Sequence, residues 1–422
     1  MVPLRGNTGL GAALVPLLAS ALLALTGCGG GSGGGGSAAA AVDPASPAAS
    51  TPTPSTPPSP PLSALAQLGA LVYVDKTLSA SGQQSCASCH DPAAFHGPPN
   101  AFPVQPGGAA MERVGTRATP SLRYLQQLPA FFAGDGNPAN VSGGLMADGR
   151  VDTLAQQARL PFLNPREMAN ASPAELAARL RQTRYAQRFT AGPTGSDEAW
   201  IKEATDALMA FQLEDPQFHP YSSRYDWLLA NKGLATPAEQ RGLSVFISPQ
   251  QGNCIGCHAM PEGVAPKALF TNFGYAALGV PRNSALHDNA DPSYFDLGLC
   301  GPVRSGVKHQ DWCGLFRTPT VRNSAKRPVF FHNGVFTSLA QVLDFYNSRD
   351  NAPQRWYPQR AGQPDLYNDL PLALRGNVSQ QAPFGGGATP PMNAQQLKDL
   401  QCFLETLSDG YVPGSPPGPS CD

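Results

Sequence analysis

Two pentapeptides constrain this chain more than any other feature: Cys86, Ala87, Ser88, Cys89, His90 and, far downstream, Cys254, Ile255, Gly256, Cys257, His258. In each, two thiols at C-x-x-C spacing are placed to add across both vinyl groups of one haem, and the histidine directly after them is placed to bind its iron. Two such sites imply two covalently bound haem c groups, held by Cys86, Cys89, His90, Cys254, Cys257 and His258, with His90 and His258 on iron. Two other chemistries use the same pairs. Four cysteines can share one zinc ion, and a single pair can act as a redox dithiol. Zinc does not need a histidine after each pair and a dithiol does not need two copies, so the haem reading leads. The long separation of the motifs gives each its own folding unit.

The chain has 422 residues and a formal net charge of −1. That is long enough for two domains, and the absence of any basic run gives no reason to expect nucleic acid. Nine cysteines are many for a cytosolic enzyme. Arg5 precedes an apolar stretch from Leu10 to Leu25 that is short and Gly/Ala-rich for a membrane span and ends in Leu25, Thr26, Gly27, Cys28. Residues 1–28 therefore resemble a bacterial lipoprotein signal, with Cys28 lipidated and the membrane reached by a lipid anchor only. An ordinary secretory signal is the alternative. Either places the protein outside the cytoplasm, in the periplasm, where c-type haem is attached and disulfides persist. Cys300, Cys313, Cys402 and Cys421 then form an even set. They can pair as Cys300 with Cys313 and Cys402 with Cys421, a connectivity that sequence alone does not fix.

Residues 29–61 are Gly, Ala, Pro, Ser and Thr with almost nothing to bury, which predicts a disordered linker. From Leu62 to Leu78 the apolar residues Leu65, Leu68, Leu71 and Val72 follow the helical period. The Pro/Gly-rich stretch after His90 reads as loop, with His96 a loop or surface histidine rather than a second iron ligand. A capping box at Ser172 to Glu175 opens a helix, Trp200 to Leu213 forms another, and a second box at Thr236 to Glu239 starts the helix that leads to the second motif. A boundary between residues 232 and 233 follows. Further on, Leu339, Val342, Leu343 and Tyr346 share one helix face, where a tyrosine is by default a core residue. The last helix has Asn393 and Gln396 as cap signals and buries Leu397, Leu400, Leu404 and Leu407.

Beyond the two pentapeptides, several segments carry a resemblance. They are Leu78-Ser79, Asp148-Gly149-Arg150, Asn164-Pro165 with Glu167-Met168, Phe316 to Asn323, Phe331 to Gly334, and Phe345-Tyr346-Asn347. On them the chain resembles the bacterial di-haem cytochrome c peroxidase family, including its MauG-like branch. The resemblance implies a mainly α fold of two cytochrome c-like haem domains with long irregular loops. Residues 62–232 would form the peroxidatic haem domain and 233–422 the electron-transfer one. Glu167 and Gln157 match the family's distal-pocket glutamate and glutamine, and Glu167 would shuttle the proton that O–O cleavage requires. Tyr346 stands where classical members have a methionine on the second haem's iron, as in MauG-like members. A phenolate favours higher oxidation states and lowers the potential, whereas a thioether raises it.

Three positions depart from the family pattern. Pro106 stands where classical members have a distal histidine, which implies an open sixth position at the first haem. Ala147 replaces the tryptophan that usually lies between the haems. Ala118 replaces an asparagine that helps bind an interdomain calcium, so the resemblance leaves calcium in doubt. The leading expectation is an oxidoreductase that reacts with hydrogen peroxide at the first haem and draws electrons through the second, supplied by a small cytochrome or cupredoxin. The alternative is a MauG-like oxidase that modifies aromatic residues of a protein substrate. Arg349 to Pro358 also resembles the branch containing the tryptophan-oxidising enzyme of methanobactin clusters. A plain di-haem electron carrier is the third reading, against which Glu167 and the vacant distal position argue.

Overall fold

The computed structural model describes residues 60–260, 268–307, 309–385 and 391–421. The expected signal at 1–28, the lipidation site Cys28 and all but the end of the 29–61 linker lie outside the described residues. From Ser59 onward the chain forms one compact unit. In chain order its α-helices are α1 (Ala64–Val74), α2 (Cys86–Cys89), α3 (Leu154–Leu163), α4 (Pro173–Gln182), α5 (Asp197–Glu214), α6 (Arg224–Leu229), α7 (Pro237–Ile247), α8 (Leu339–Ser348) and α9 (Ala394–Glu405). Strands are two-residue ladders. β1 (Pro106–Gly107) pairs with β2 (Arg113–Val114), and β3 (Tyr275–Ala276) with β4 (Phe316–Arg317). The fold is mainly α with long irregular loops, as the sequence predicts.

Local signals set the helix starts. Thr236 Oγ1 accepts from the Glu239 N–H at 3.2 Å while the Glu239 carboxylate accepts from the Thr236 N–H at 2.7 Å, a complete capping box for α7. Asn393 and Gln396 do the same for α9. At α4 only half the box forms: Ser172 caps Glu175, but the Glu175 carboxylate turns to the Ala171 N–H. On α1 the buried side is Ala66, Leu68, Gly69, Val72 and Tyr73, and Leu65 faces outward at 38 % exposure.

That rotation of α1 has a steric cause. A Cβ at Gly69 would stand 1.9 Å from the Ala207 carbonyl oxygen of α5. The second half repeats the arrangement, since a Cβ at Gly242 of α7 would stand 1.9 Å from the Asp399 carbonyl oxygen of α9. Each C-x-x-C-H is therefore preceded by a helix that crosses a later helix at backbone contact, which only glycine permits. Around the first crossing lies a core of Leu68, Val72, Phe162, Leu176, Leu180, Ile201 and Leu208. Around the second lies another, of Val245, Phe246, Phe270, Leu400, Phe403 and Leu407. At roughly 1.5–3 kcal/mol for each large apolar side chain fully buried, these cores dominate the stabilisation of the fold.

Covalent and ionic ties secure the loops. Cys300 pairs with Cys313, closing the loop ahead of β4, and Cys402 of α9 pairs with Cys421 of the tail. Arg117 bridges the fully buried Asp148 at 3.1 Å and Asp296 at 2.6 Å, and so joins the early loop to the late one. Among the described residues no helix is long and apolar enough to cross a membrane.

Candidate functional site

The first motif folds as the single turn α2, whose Ser85 N–H donates to Ser88 Oγ at 3.0 Å. This turn presents Cys86 and Cys89 on one side and hands the chain to His90, whose N–H donates to the Cys86 carbonyl at 2.8 Å. His90 Nδ1 lies 3.0 Å from the Pro120 carbonyl oxygen. A carbonyl only accepts, so Nδ1 carries the proton and Nε2 keeps its lone pair, the arrangement of a metal-ligating histidine. Burial pushes the His90 imidazole down to about 4, which keeps it neutral and competent to ligate.

The second motif repeats the design with different local geometry. Cys254 to Gly256 is a 3₁₀ turn entered through Asn253 at φ 46°. His258 Nδ1 stands 3.2 Å from both the Phe270 and the Pro319 carbonyl oxygens. Burial lowers its pKa as well.

All four motif cysteines are unpaired, in a chain whose other described cysteines are joined as disulfides. Burial, first among the causes, pushes Cys86 up to about 12, Cys89 to about 11 and Cys254 to about 12. Reactive C-x-x-C dithiols have depressed thiol pKa values, so the dithiol reading does not fit. Nor does zinc: among the described residues no three Cys, His, Asp or Glu side chains gather as a metal site.

A cavity of about 360 Å³ lies beside the second motif and reaches the Pro120 loop, lined by Cys254, Cys257, His258, Tyr346, Gln157 and Pro120 among mainly apolar neighbours; Cys86, Cys89 and His90 are not in its lining. Two half-buried guanidinium groups face it. Arg317 donates to the Met146 carbonyl at 3.3 Å, and Arg327 to the Thr119 carbonyl at 3.0 Å. Neither has a carboxylate partner among the described residues, and burial depresses both, Arg327 to about 10. An apolar space with His258 on its wall and two guanidinium groups that lack carboxylate partners among the described residues fits a planar apolar cofactor that carries carboxylates, as haem does.

Glu167 follows α3 on a short loop that the rest of the first half clamps. Its carbonyl accepts from Gly108 N–H at 2.9 Å, and the neighbouring Met168 carbonyl from Ala80 N–H at 2.8 Å. Gly107 permits the approach, because a Cβ there would lie 2.1 Å from the Arg166 carbonyl oxygen. Burial raises the Glu167 pKa, opposed by a hydrogen bond to Asn164 and by the Arg150 charge. Its carboxylate is near enough to Cys86 and Cys89 to add, after burial, to the rise of those thiols. Gln157, buried on α3, faces the cavity and makes no side-chain hydrogen bond among the described residues. Pro106 sits in β1 with its carbonyl bonded to Gln84 at 2.6 Å.

Tyr346 projects from α8 into the cavity beside the second motif. Its ring stacks on Phe384 with centroids 5.2 Å apart. Burial and then the Cys257 and Cys254 thiolates would oppose its ionisation. No group among the described residues bonds its hydroxyl. His332 lies flat on Phe316 and reaches Asp369 Oδ2 at 3.2 Å. His96 does occupy a loop, but it is only 1 % exposed, packed on Phe218 at 4.1 Å, so its placement at the surface is corrected.

The residues that sequence reasoning missed are those that aim the histidines. Thr119-Pro120-Ser121-Leu122-Arg123-Tyr124 and Thr318-Pro319-Thr320-Val321-Arg322-Asn323 are copies of one pattern, and in each the proline carbonyl receives a haem-motif imidazole. The repeated Thr-Pro-x-aliphatic-Arg was the available signal. The copies meet at Asp409, which accepts from Tyr124 Oη at 2.6 Å and from Asn323 Nδ2 at 2.6 Å.

A family described as di-haem cytochrome c peroxidase matches residues 63–233. The methylamine utilization protein MauG of Paracoccus denitrificans is 36% identical, over 82% of this chain and 88% of its own. The cytochrome-c peroxidase IdrP1 of a Pseudomonas species is 27% identical, over 81% and 80%. Among solved structures, the diheme peroxidase BthA of Burkholderia thailandensis superposes with a TM-score of 0.73 at 38% identity, over 84% of this chain and 89% of that one.

Proposed function

The chain belongs to the di-haem cytochrome c peroxidase family and is an oxidoreductase with MauG among its relatives; from that premise we propose how its residues divide the work. Cys86, Cys89 and His90 would hold a covalent haem at which hydrogen peroxide reacts, and Cys254, Cys257, His258 and Tyr346 would hold a second that serves electron exchange with a donor. When bound, the haems supply peroxide binding and electron storage.

Glu167 performs the proton transfer. A carboxyl group whose pKa is raised by burial can take a proton from one peroxide oxygen and return it to the departing one, and a strongly acidic carboxylate would not give it back. Asn164, hydrogen-bonded to it, fixes its direction, and Gln157 orients the oxidant from the cavity side. His90 and His258, each with Nδ1 held by a proline carbonyl, of Pro120 or Pro319, would offer Nε2 to the irons. The observation that carries this reading is Glu167, a clamped and desolvated carboxyl beside the first cysteine pair.

Tyr346 favours a second reading within the same family. A phenolate ligand lowers the potential of the second haem and suits the removal of electrons from a protein substrate, as a MauG-like oxidase would do, better than acceptance from a high-potential cytochrome. Turnover of peroxide with a reduced small cytochrome or cupredoxin supports the peroxidase reading. Its absence, with a long-lived oxidised state that a partner protein discharges, supports the oxidase. Peroxide that leaves both haem spectra unchanged would reduce the protein to an electron carrier.

The domain division at 232/233 is part of this proposal, supported by the two separate cores. So is a periplasmic location with a lipid anchor at Cys28, supported by the signal-like residues 1–28 and by the disulfides. Calcium is not included: Ala118 offers no side-chain oxygen, and its N–H is engaged by the His332 carbonyl at 2.8 Å.

A further inference from the structure

Ala147, on the cavity wall, carries no indole, so a relay of oxidising equivalents out of the cavity would use another redox-active side chain. Among the described residues lining the cavity, the aromatics that can be oxidised at ordinary biological potentials are Tyr124 and Tyr346. Tyr346 is assigned to the second haem. Tyr124 is 2 % exposed and donates its phenolic proton to Asp409 Oδ1 at 2.6 Å. Its oxygen also accepts the Tyr221 backbone N–H at 3.1 Å. The Tyr221 ring stands edge-on to it, with centroids 4.9 Å apart, and is only half-buried. The Arg322 guanidinium lies over both rings, 5.2 Å from Tyr124 and 5.0 Å from Tyr221. Both tyrosines hold left-handed backbone conformations, φ 65° and φ 45°. That strain is unusual for bulky residues and is retained where the surroundings enforce it.

We propose that Tyr124, with Asp409 as its proton acceptor, relays oxidising equivalents from the haem cavity to Tyr221 at the surface. The inference rests on the peroxide reading of the haem site, which supplies the oxidant. In the first step one electron leaves Tyr124 for the peroxide-oxidised haem centre while the O–H proton moves to Asp409 Oδ1, leaving a neutral tyrosyl radical. The guanidinium above the ring disfavours a radical that keeps its proton, so electron and proton leave together. In the second step Tyr221 gives an electron to the radical and its own proton to solvent, and Asp409 returns the first proton to Tyr124. The Tyr221 radical is then quenched by one electron from an external donor and one proton from solvent. Each peroxide, a two-electron oxidant, supports two such passages.

The test uses the full-length protein with both haems in place, mixed with one equivalent of hydrogen peroxide and freeze-quenched for electron paramagnetic resonance. Growth on ring-deuterated tyrosine identifies any tyrosyl signal by its narrowed hyperfine pattern. The wild type gives such a signal, its formation slows in deuterium oxide, and Tyr124→Phe loses it with the haem Soret bands still responding to peroxide. Tyr221→Phe keeps a radical on Tyr124 with a longer lifetime. A tyrosyl signal that persists in Tyr124→Phe, or Soret changes in the wild type without any tyrosyl signal, overturns the relay alone. Absence of any Soret response to peroxide overturns the functional reading and the relay with it. Haem content and the resting spectrum of Tyr124→Phe, matched to wild type, show that the variant is folded.

Discussion

Asn323 and Asp409 hold each other twice: the Asn323 amide donates to Asp409 Oδ2 at 2.6 Å, and the Asp409 backbone N–H donates to Asn323 Oδ1 at 2.8 Å. Because Asn323 closes the segment that aims His258, and Tyr124 closes the matching segment that aims His90, one carboxylate near the end of the chain fixes both histidine loops. Arg123 adds an ion pair to it at 3.1 Å.

Asp409→Ala will therefore cost far more than an average substitution. It leaves a guanidinium, an amide and a phenol buried without their acceptor, which costs about 3–5 kcal/mol when one partner of a buried charged pair is removed. Urea unfolding measures it, as a lower midpoint at unchanged slope. A loss within about 0.5 kcal/mol, as for an ordinary surface site, would show that the clasp is not a structural centre.

The two glycines at the helix crossings make a paired prediction. In a helix, Gly→Ala gains about 1 kcal/mol of propensity, and overpacking costs about 1–3 kcal/mol. At Gly69 and Gly242 the new methyl would meet a carbonyl oxygen at 1.9 Å, so a whole helix must shift and the steric cost prevails. Gly69→Ala and Gly242→Ala will each lower the melting temperature, and a rise in either would mean that the crossing is looser than these distances.

Signals complete within a few residues were legible in the sequence: the C-x-x-C-H pairs, the caps of α7 and α9, and the face of α8 that carries Tyr346. Relations between distant residues were not. Leu65 fits the apolar period of α1, yet it faces outward because the helix turns its glycine, which a hydrophobic pattern does not count, toward α5. His96 reads as a loop residue and is one, but its burial depends on Phe218, far along the chain. The placement of Arg317 and Arg327 on the cavity wall has no local signature at all, because each is an ordinary loop arginine until the distant segments around it come together. The repeated Thr-Pro-x-aliphatic-Arg lay in plain view and needed only a comparison of the two halves.

Replacing Tyr346 separates the two haems experimentally. Tyr346→Phe removes the oxygen and will alter the ferric spectrum of one haem while leaving the other as it was. Tyr346→Met supplies a thioether, which raises the potential of that same haem in a spectroelectrochemical titration. Unchanged spectra and potentials in both variants would return Tyr346 to the role of a packing residue on Phe384.

Glu167→Gln tests catalysis and stability together, and the two will move in opposite directions. Loss of a positioned acid-base group slows peroxide activation by ~100- to 10,000-fold, read as the rate of the Soret change in a stopped-flow instrument. The carboxylate form must be present to take the first proton. In the wild type the rate will thus fall on acidification with a midpoint above the usual carboxylate range of about 4.3, since burial raises this group. In the glutamine variant that limb will be absent. For stability the sign reverses. A carboxyl whose folded pKa lies above its unfolded value stabilises the fold while it is protonated, and that contribution is lost as pH rises through the folded pKa. The neutral amide cannot charge, so Glu167→Gln will keep its stability at neutral pH where the wild type has given some up. A variant that is both slower and less stable at neutral pH would mean that Glu167 holds the loop rather than moving a proton.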